Sequence, residues 1–438
     1  MGIVLTEMVT GKNPFQRETP AATIYAILNE PPLPMDDLPL DLLRVIYRAL
    51  SKEPATRYQN CREIVADLKE VRSHLEPEVA QTAAGSSSRP ITRPITRPLK
   101  APSTLSAAEL RKQIEQAFLD AGVTMRAEAT MRILVLGAGA IGGYFGGRLA
   151  EAGADVTFLV RPQRQRRLAE QGLVVKSSAG DISRKVETVL AGGIRSPYDV
   201  VLLTCKAYDL DAALDAITPA MGPKSVIIPM LNGLMHLDTL TQRFGRERVM
   251  GGGCYIGAML TPEGHVLQMG DLHVLAFGEL DGTRSARAQG IASEFQKGKF
   301  NTVLSERIVP EMWEKFVMLT TLASITTLTH SNLGQILAVS EGERTILAIL
   351  AECEAVAKAS GYPVSTESAA RTRGLLTQRG SPFTASTQTD MDAGGATEGD
   401  HIVGDMVRRG EAKGVATPLL RVALCNLQVY ETKRAKRQ

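Results

Sequence analysis

Apolar residues are spread along this chain in distinct regimes. Over residues 1–76 they recur at helical spacing, in "MGIVLTEMVTGKNPF" and again in "DLLRVIYRALSKEPATRYQNCREIVADLKEVRSHL", broken by Pro-rich turns, which predicts a small helical bundle. Large apolar residues then all but vanish in "EPEVAQTAAGSSSRPITRPITRPLKAPSTLS", a composition that cannot build a core and predicts a tether. Its "RPITRPITRP" repeat favours an extended spacer. Ser106, with Glu109 at capping-box spacing, opens an amphipathic helix carrying Leu110, Ile114, Phe118 and Leu119, so the linker with its one helix covers 77–130. From 131 to 300, short β-branched runs alternate with helical stretches, and from 301 to 438 the pattern is helical. The predicted architecture is a Rossmann-type α/β domain followed by an all-helical C-terminal domain, with a short helical segment ahead of both.

The decisive stretch is "RILVLGAGAIGGYFGGRLAEAGADVTFLVR". It reads as a strand, a G-x-G-x-x-G turn at Gly137, Gly139 and Gly142, an amphipathic helix and a second strand. In that setting Gly137 permits the tight turn, Gly139 lets backbone approach a pyrophosphate, and Gly142 allows close packing of helix on sheet. The phosphates would sit on the helix N-terminus. The end of the second strand selects the cofactor. An acid there would bind ribose hydroxyls and repel a 2'-phosphate, whereas this chain has Arg161, with Arg164, Arg166 and Arg167 close behind. NADPH is therefore the expected cofactor. Further apolar runs at "VVKSS", "VETVLA", "DVVLLTCKAY", "SVIIPMLNG" and "RVMGGGCYIGAML" are expected to complete a parallel sheet covered on both faces. Ligands bind beyond the carboxyl ends of such strands, where Lys206 and Asn232 fall. By residue type alone, Lys206 is equally a surface lysine and Asn232 equally a turn residue.

In the helical half, "VPEMWEKFVMLTTLASITTLTH" holds Lys315 among Trp313, Phe316 and Leu319, where an ammonium is costly unless its stem snorkels or its charge has a use. Glu398 falls at an expected helix start, where the dipole alone favours an acid.

Composition excludes some partners. A formal charge of +3 over 438 residues is too small to argue for nucleic acid or an anionic membrane. No apolar run reaches the roughly 20 residues of a membrane span. The five cysteines, Cys61, Cys205, Cys254, Cys353 and Cys425, are scattered without metal-ligand spacing and are expected to be reduced thiols of a cytoplasmic protein.

Two resemblances add to this reading. Residues 1–76 resemble the end of the C-terminal lobe of bacterial serine/threonine protein kinases, in "GIVLTEMVTGKNPF" and in Ala49, Leu50, Lys52, Pro54, Arg57 and Tyr58. Phosphoryl transfer also needs a Gly-rich loop, a strand lysine, an HRD and a DFG aspartate, none of which lies between Met1 and the linker. A kinase remnant without kinase activity is expected. Residues 131–438 resemble the 2-dehydropantoate 2-reductase (ketopantoate reductase) family. The resemblance is carried by the glycine-turn segment, "KAYDLDAA", "LNGLMHLDTL", "WEKF", the S-x-x-x-D-x-x-x-G-x-x-TE-x-D run from Ser386 to Asp400, and "GEAKGVATP". Met131 accordingly reads as the enzyme's original start, with the preceding 130 residues joined by fusion or by extension of the reading frame.

The resemblance implies that Lys315 is the general acid protonating a ketone oxygen as hydride arrives, and that Glu398 orients this lysine and the substrate and borders the cofactor. It further implies that Ser386 contacts the substrate carboxylate and that Lys206 and Asn232 line the cofactor cleft, Asn232 also meeting substrate. One departure stands out. Where the family carries asparagines one and two turns beyond the lysine, this chain has Leu319 and Ala323. Thr320, Ser324, Thr327 and Asn332 are candidates to compensate. The expected activity is NADPH-dependent reduction of 2-dehydropantoate to (R)-pantoate for pantothenate and coenzyme A synthesis. A reductase of another 2-oxo acid and a non-catalytic NADPH-sensing scaffold stay open as alternatives. The expected partner is a small 2-oxo acid, with a homodimer allowed.

Overall fold

The computed structural model describes residues 130–436 throughout and, ahead of them, a subset between residues 3 and 71 that includes the helix Leu40–Leu50. The chain falls into two compact units, Met1–Ala129 and Thr130–Gln438. The tether, its helix from Ser106, and Lys52 and Pro54 of the kinase-like pattern lie outside the described residues. The described residues of the first unit share a core of their own, with Leu5, Phe15, Leu42, Ile46, Leu50 and Ile64 buried together. Beside it the Arg48 guanidinium pairs with Asp67 at 3.1 Å and lies 4.2 Å from the centre of the Tyr58 ring.

The second unit is built on a five-stranded parallel sheet ordered β5-β2-β1-β6-β7. Its strands are β1 (Arg132–Leu136), β2 (Asp155–Leu159), β5 (Glu187–Val189), β6 (Tyr198–Leu203) and β7 (Met221–Pro229). Strand alternation explains why these runs are apolar without a break. Ile133, Val135, Val200 and Leu202 enter one core together with Phe145 of the helix Ala140–Glu151. Their neighbours Leu134, Leu136, Val201 and Leu203 enter another, on the opposite face, with Leu214 and Leu240.

Two runs expected in the parallel sheet belong elsewhere. β3 (Leu173–Lys176) pairs antiparallel with β4 (Ile182–Arg184), and β8 (Met250–Leu260) antiparallel with β9 (Val266–Glu279), in a second sheet of mixed direction. The cause for β8 is the tight turn "TPEGH". Gly264 takes φ +86° and donates to the Thr261 carbonyl at 2.8 Å, and the Thr261 amide donates to the His265 carbonyl at 2.8 Å, so the chain folds straight back. β10 (Asn301–Leu304) pairs with β9, so the sheets extend past residue 300 and the helical part begins with Ile308.

The helical part centres on Ile308–Thr329, hereafter the lysine helix, packed against Gly342–Ala359 and Pro418–Ala435. Leu234 and Ala276 from the sheet side are buried in this same core. Among the described residues no helix is long and apolar enough to cross a membrane.

Candidate active site

The glycine turn follows directly from β1. Gly137 sits at φ +96° and donates its amide to the Leu159 carbonyl at 2.9 Å. Gly142 lies under the turn: a methyl group there would come within 2.1 Å of the Gly137 carbonyl and 2.4 Å of the Thr204 hydroxyl. Thr204 at the end of β6 in turn donates to the Leu136 carbonyl at 2.6 Å. Gly139 is the N-cap of the helix Ala140–Glu151, and a methyl group there would meet nothing within 4 Å, so its backbone face is open. The first turn of that helix carries no acid. An open glycine backbone at a helix N-terminus free of carboxylates fits a pyrophosphate.

Two arginines at the end of β2 do different things. Arg161, 76% exposed, pairs with Asp209 at 2.8 Å. Arg164 is anchored: its Nε donates to the Ala138 carbonyl at 2.9 Å and its Nη1 to the Gly264 carbonyl at 2.7 Å, so it ties the glycine turn to the β8–β9 hairpin. Arg167 donates to Pro262 of the same hairpin at 3.0 Å.

Beyond the strand ends, Lys206 and Glu398, both singled out in the sequence, meet from the two halves. Lys206, just after β6, lies 3.1 Å from Asp390 and 3.5 Å from Glu398. Burial acts to lower the Lys206 pKa, but the two carboxylates outweigh it and the net shift is upward. Glu398 is buried at 6% exposure and also accepts the Ala207 amide at 2.9 Å. It stands at a helix start as expected, yet its carboxylate reaches across to the 206–207 turn. Lys315 is fixed by another group: its Nζ donates to the Cys254 carbonyl of β8 at 2.7 Å and lies 5.1 Å from the centre of the Tyr255 ring. Burial lowers its pKa below the usual lysine value, partly offset by Cys254 and Glu398. Glu398 thus acts on Lys315 through its charge and on Lys206 through contact.

Asn232 follows β7 in a turn completed by Gly233 at φ +82°. A methyl on Gly233 would lie 3.0 Å from the His401 ring, so turn and histidine are in close contact. His401 belongs to a π-helical turn, Asp400–Gly404, and its ring stacks on that of His236 at 5.6 Å and 17°. Ser386 is exposed at the start of the helix Ser386–Asp392, one turn before Asp390. Of the residues proposed to replace the missing amides, Thr327 donates to its own helix at Ala323 and Asn332 caps Leu333–Ile336. Thr320 and Ser324 are fully buried, and at about 100° per residue they point away from the Lys315 side of the helix.

In the sequence Asp390, Asp209 and His236 stand only as parts of the quoted motifs, with no role of their own, and His401 stands outside them. For Asp390 the signal was present, because Ser386 and Asp390 stand four apart and share a helix face. A cavity of about 600 Å³ on the Trp313 side of the lysine helix, lined by Trp313, Tyr362, Arg246 and Lys413, includes none of the site residues.

Known proteins resemble this chain over the residues that build both halves of the site. The family model for ketopantoate reductase PanE/ApbA matches residues 133–282, and that for the PanE/ApbA C terminal matches 307–431. An uncharacterized oxidoreductase of Bacillus subtilis (strain 168), YkpB, is 36% identical over 304 residues, 69% of this chain and 100% of that protein. The 2-dehydropantoate 2-reductase of Halobacterium salinarum is 26% identical, covering 66% of this chain and 96% of its own. Among solved structures, a PanE/ApbA family ketopantoate reductase from Ralstonia eutropha JMP134 superposes with a TM-score of 0.64 at 26% identity, over 70% of this chain and all of its own. D-mandelate dehydrogenase, solved with NADH and anilino(oxo)acetate, shares the fold with a TM-score of 0.64 at 23% identity, over 70% of this chain and all of its own. With both family models matched in order and the site assembled from the two halves they describe, the chain belongs to the ketopantoate reductase family of oxidoreductases.

Proposed function

We propose that this chain reduces 2-dehydropantoate to (R)-pantoate with NADPH. The observation that carries the reading is Lys315, an ammonium held at 2.7 Å on the Cys254 carbonyl with a lowered pKa, within reach of the charge on Glu398. Reduction of a ketone builds negative charge on its oxygen, and an ammonium with a lowered pKa both stabilises that charge and gives up a proton more readily than a solvated lysine. A bound nicotinamide supplies the hydride. The turn of Gly137 and Gly139, with Gly142 packed beneath it, would hold its pyrophosphate and Arg161 a 2'-phosphate. Lys206, kept protonated by Glu398 and Asp390, holds positive charge at the cleft, and Ser386 offers a hydroxyl to the substrate carboxylate. Glu398 keeps the 206–207 turn in place and supports the charge on Lys315.

The test is consumption of NADPH by the purified full chain with 2-dehydropantoate, set against NADH and against Lys315→Ala. Turnover lost in Lys315→Ala supports the reading; no turnover with 2-dehydropantoate removes the substrate assignment.

A second reading, a reductase of another 2-oxo acid, is favoured by a specific observation. Leu319 and Ala323 replace two amides, while Thr327 and Asn332 are committed to backbone and cap. A pocket built to pair hydroxyl groups loses discrimination when its polar groups become apolar, which favours a bulkier, less hydroxylated acid. A panel of 2-oxo acids separates the two readings by kcat/KM.

A further inference from the structure

The sheet order places β2 and β6 on either side of β1. At about 4.8 Å per strand, their carboxyl ends lie roughly 10 Å apart, with the glycine turn between them. The pair of Arg161 Nη2 and Asp209 Oδ1, at 2.8 Å, closes that gap. It therefore spans the mouth of the crevice in which sheets of this type bind their ligands.

Arg161, exposed and held by one carboxylate, can exchange that partner. Arg164 spends Nε and Nη1 on the Ala138 and Gly264 carbonyls, and Arg167 is drawn to the Pro262 carbonyl. Among the described residues the Asp209 side chain enters one ion pair, that with Arg161. Asp209 is the N-cap residue of the helix Leu210–Ile217, but its side chain makes no capping hydrogen bond. Its carboxylate is thus an anion held by no cap that satisfies Arg161 before a cofactor arrives.

We infer that Asp209 is a specificity-determining residue: it competes with a 2'-phosphate for Arg161 and so narrows the preference of this chain for NADPH over NADH. The inference rests on the reading that Arg161 meets the 2'-phosphate. A phosphate with about −1.5 to −2 charges outbids one carboxylate, but only after the Arg161–Asp209 pair has broken and Asp209 has been left without its partner beside the incoming anion. NADH carries no such phosphate and leaves the pair intact. The pair is exposed, so its effect is modest and screened by salt.

The experiment is equilibrium fluorescence titration of the full chain with NADPH and NADH, at about 0.05 M and 0.5 M salt. It compares wild type, Asp209→Asn, Arg161→Ala and the double variant. Asp209→Asn removes the charge, keeps the shape and loses no capping bond. At low salt it is expected to raise the ratio of Kd(NADH) to Kd(NADPH) by about 1.4-fold to fivefold, the range of an exposed ion pair, and by less at high salt. In the Arg161→Ala background the same substitution should change nothing further, because the competition has lost its object. An unchanged ratio in Asp209→Asn overturns the inference. So does an effect of equal size without Arg161, which would mean a diffuse charge effect. If Arg161→Ala leaves both cofactors unaffected, the 2'-phosphate reading itself fails, and that outcome is distinguishable because it needs no Asp209 variant.

Discussion

A lysine whose ammonium is taken from water and set on one backbone carbonyl is a stronger acid than the same group at a surface. Lys315 is in that position, and two outcomes follow from it. Lys315→Ala should lower kcat by about 10²- to 10⁴-fold, the usual contribution of a positioned general acid, with little change in cofactor affinity measured by titration. The alkaline limb of kcat against pH should fall below the ordinary lysine value of 10.5, because the protonated form is the reactive one and its pKa is shifted down. A profile that stays level through that region would remove Lys315 from the role. Gly142 makes a steric prediction. Gly142→Ala drives a methyl to 2.1 Å from the Gly137 carbonyl, so the turn must move. A loss of about 1–3 kcal/mol in urea unfolding and weaker cofactor binding are expected together. The glycines and Lys315 are legible in the sequence because their residue types have few uses in such settings. Asp209 and His401 are not, since a half-buried acid and a buried histidine are common and only their partners give them meaning.

At the level of elements, the π-helical turn at Asp400–Gly404 joins the two halves of the site. Glu398 just before it accepts the Ala207 amide, and His401 within it packs on the Asn232–Gly233 turn. Glu398→Gln keeps an acceptor for that amide and removes the charge; it should raise KM and lower kcat while leaving the melting temperature nearly unchanged. Glu398→Ala strands the Ala207 amide as well and should cost about 1–3 kcal/mol of stability. Equal melting temperatures for the two variants would show that the contact does not hold the turn.

The His236–His401 pair predicts a pH dependence with a definite sign. Burial is the largest cause lowering both imidazole pKa values below 6.5. For His236 the nearby His401, Lys315 and Arg409 add to it, and for His401 Glu398, Asp405 and Asp400 offset it. The unfolded chain takes up these protons near 6.5 and the folded chain does not, so stability complete above that pH declines as pH falls below it. His236→Phe should flatten the decline in urea midpoint between about pH 7 and pH 5, and an unchanged slope would place its origin elsewhere.

For the molecule as a whole, the two units have separate buried cores. A chain beginning at Met131 should therefore keep the melting temperature and cofactor affinity of the full chain, and a marked loss of either would show that the first unit supports the second. Hydrophobic periodicity by itself determined the parallel β-strands around the glycine turn, the turn and the helical second half, because each is dictated by neighbours a few residues away. A strand buried on both faces must be apolar throughout, and a tight turn under a helix N-terminus must be glycine. Tertiary structure alone decided the rest. Glu398 was assigned to the 206–207 turn by a contact spanning 191 residues. Lys315 was placed on a carbonyl 61 residues away, and Arg161 was joined to Asp209 across the end of β1. These are pairings between segments far apart in the chain, and a residue's type restricts what it can bond to without saying which distant partner packing will bring within 3 Å.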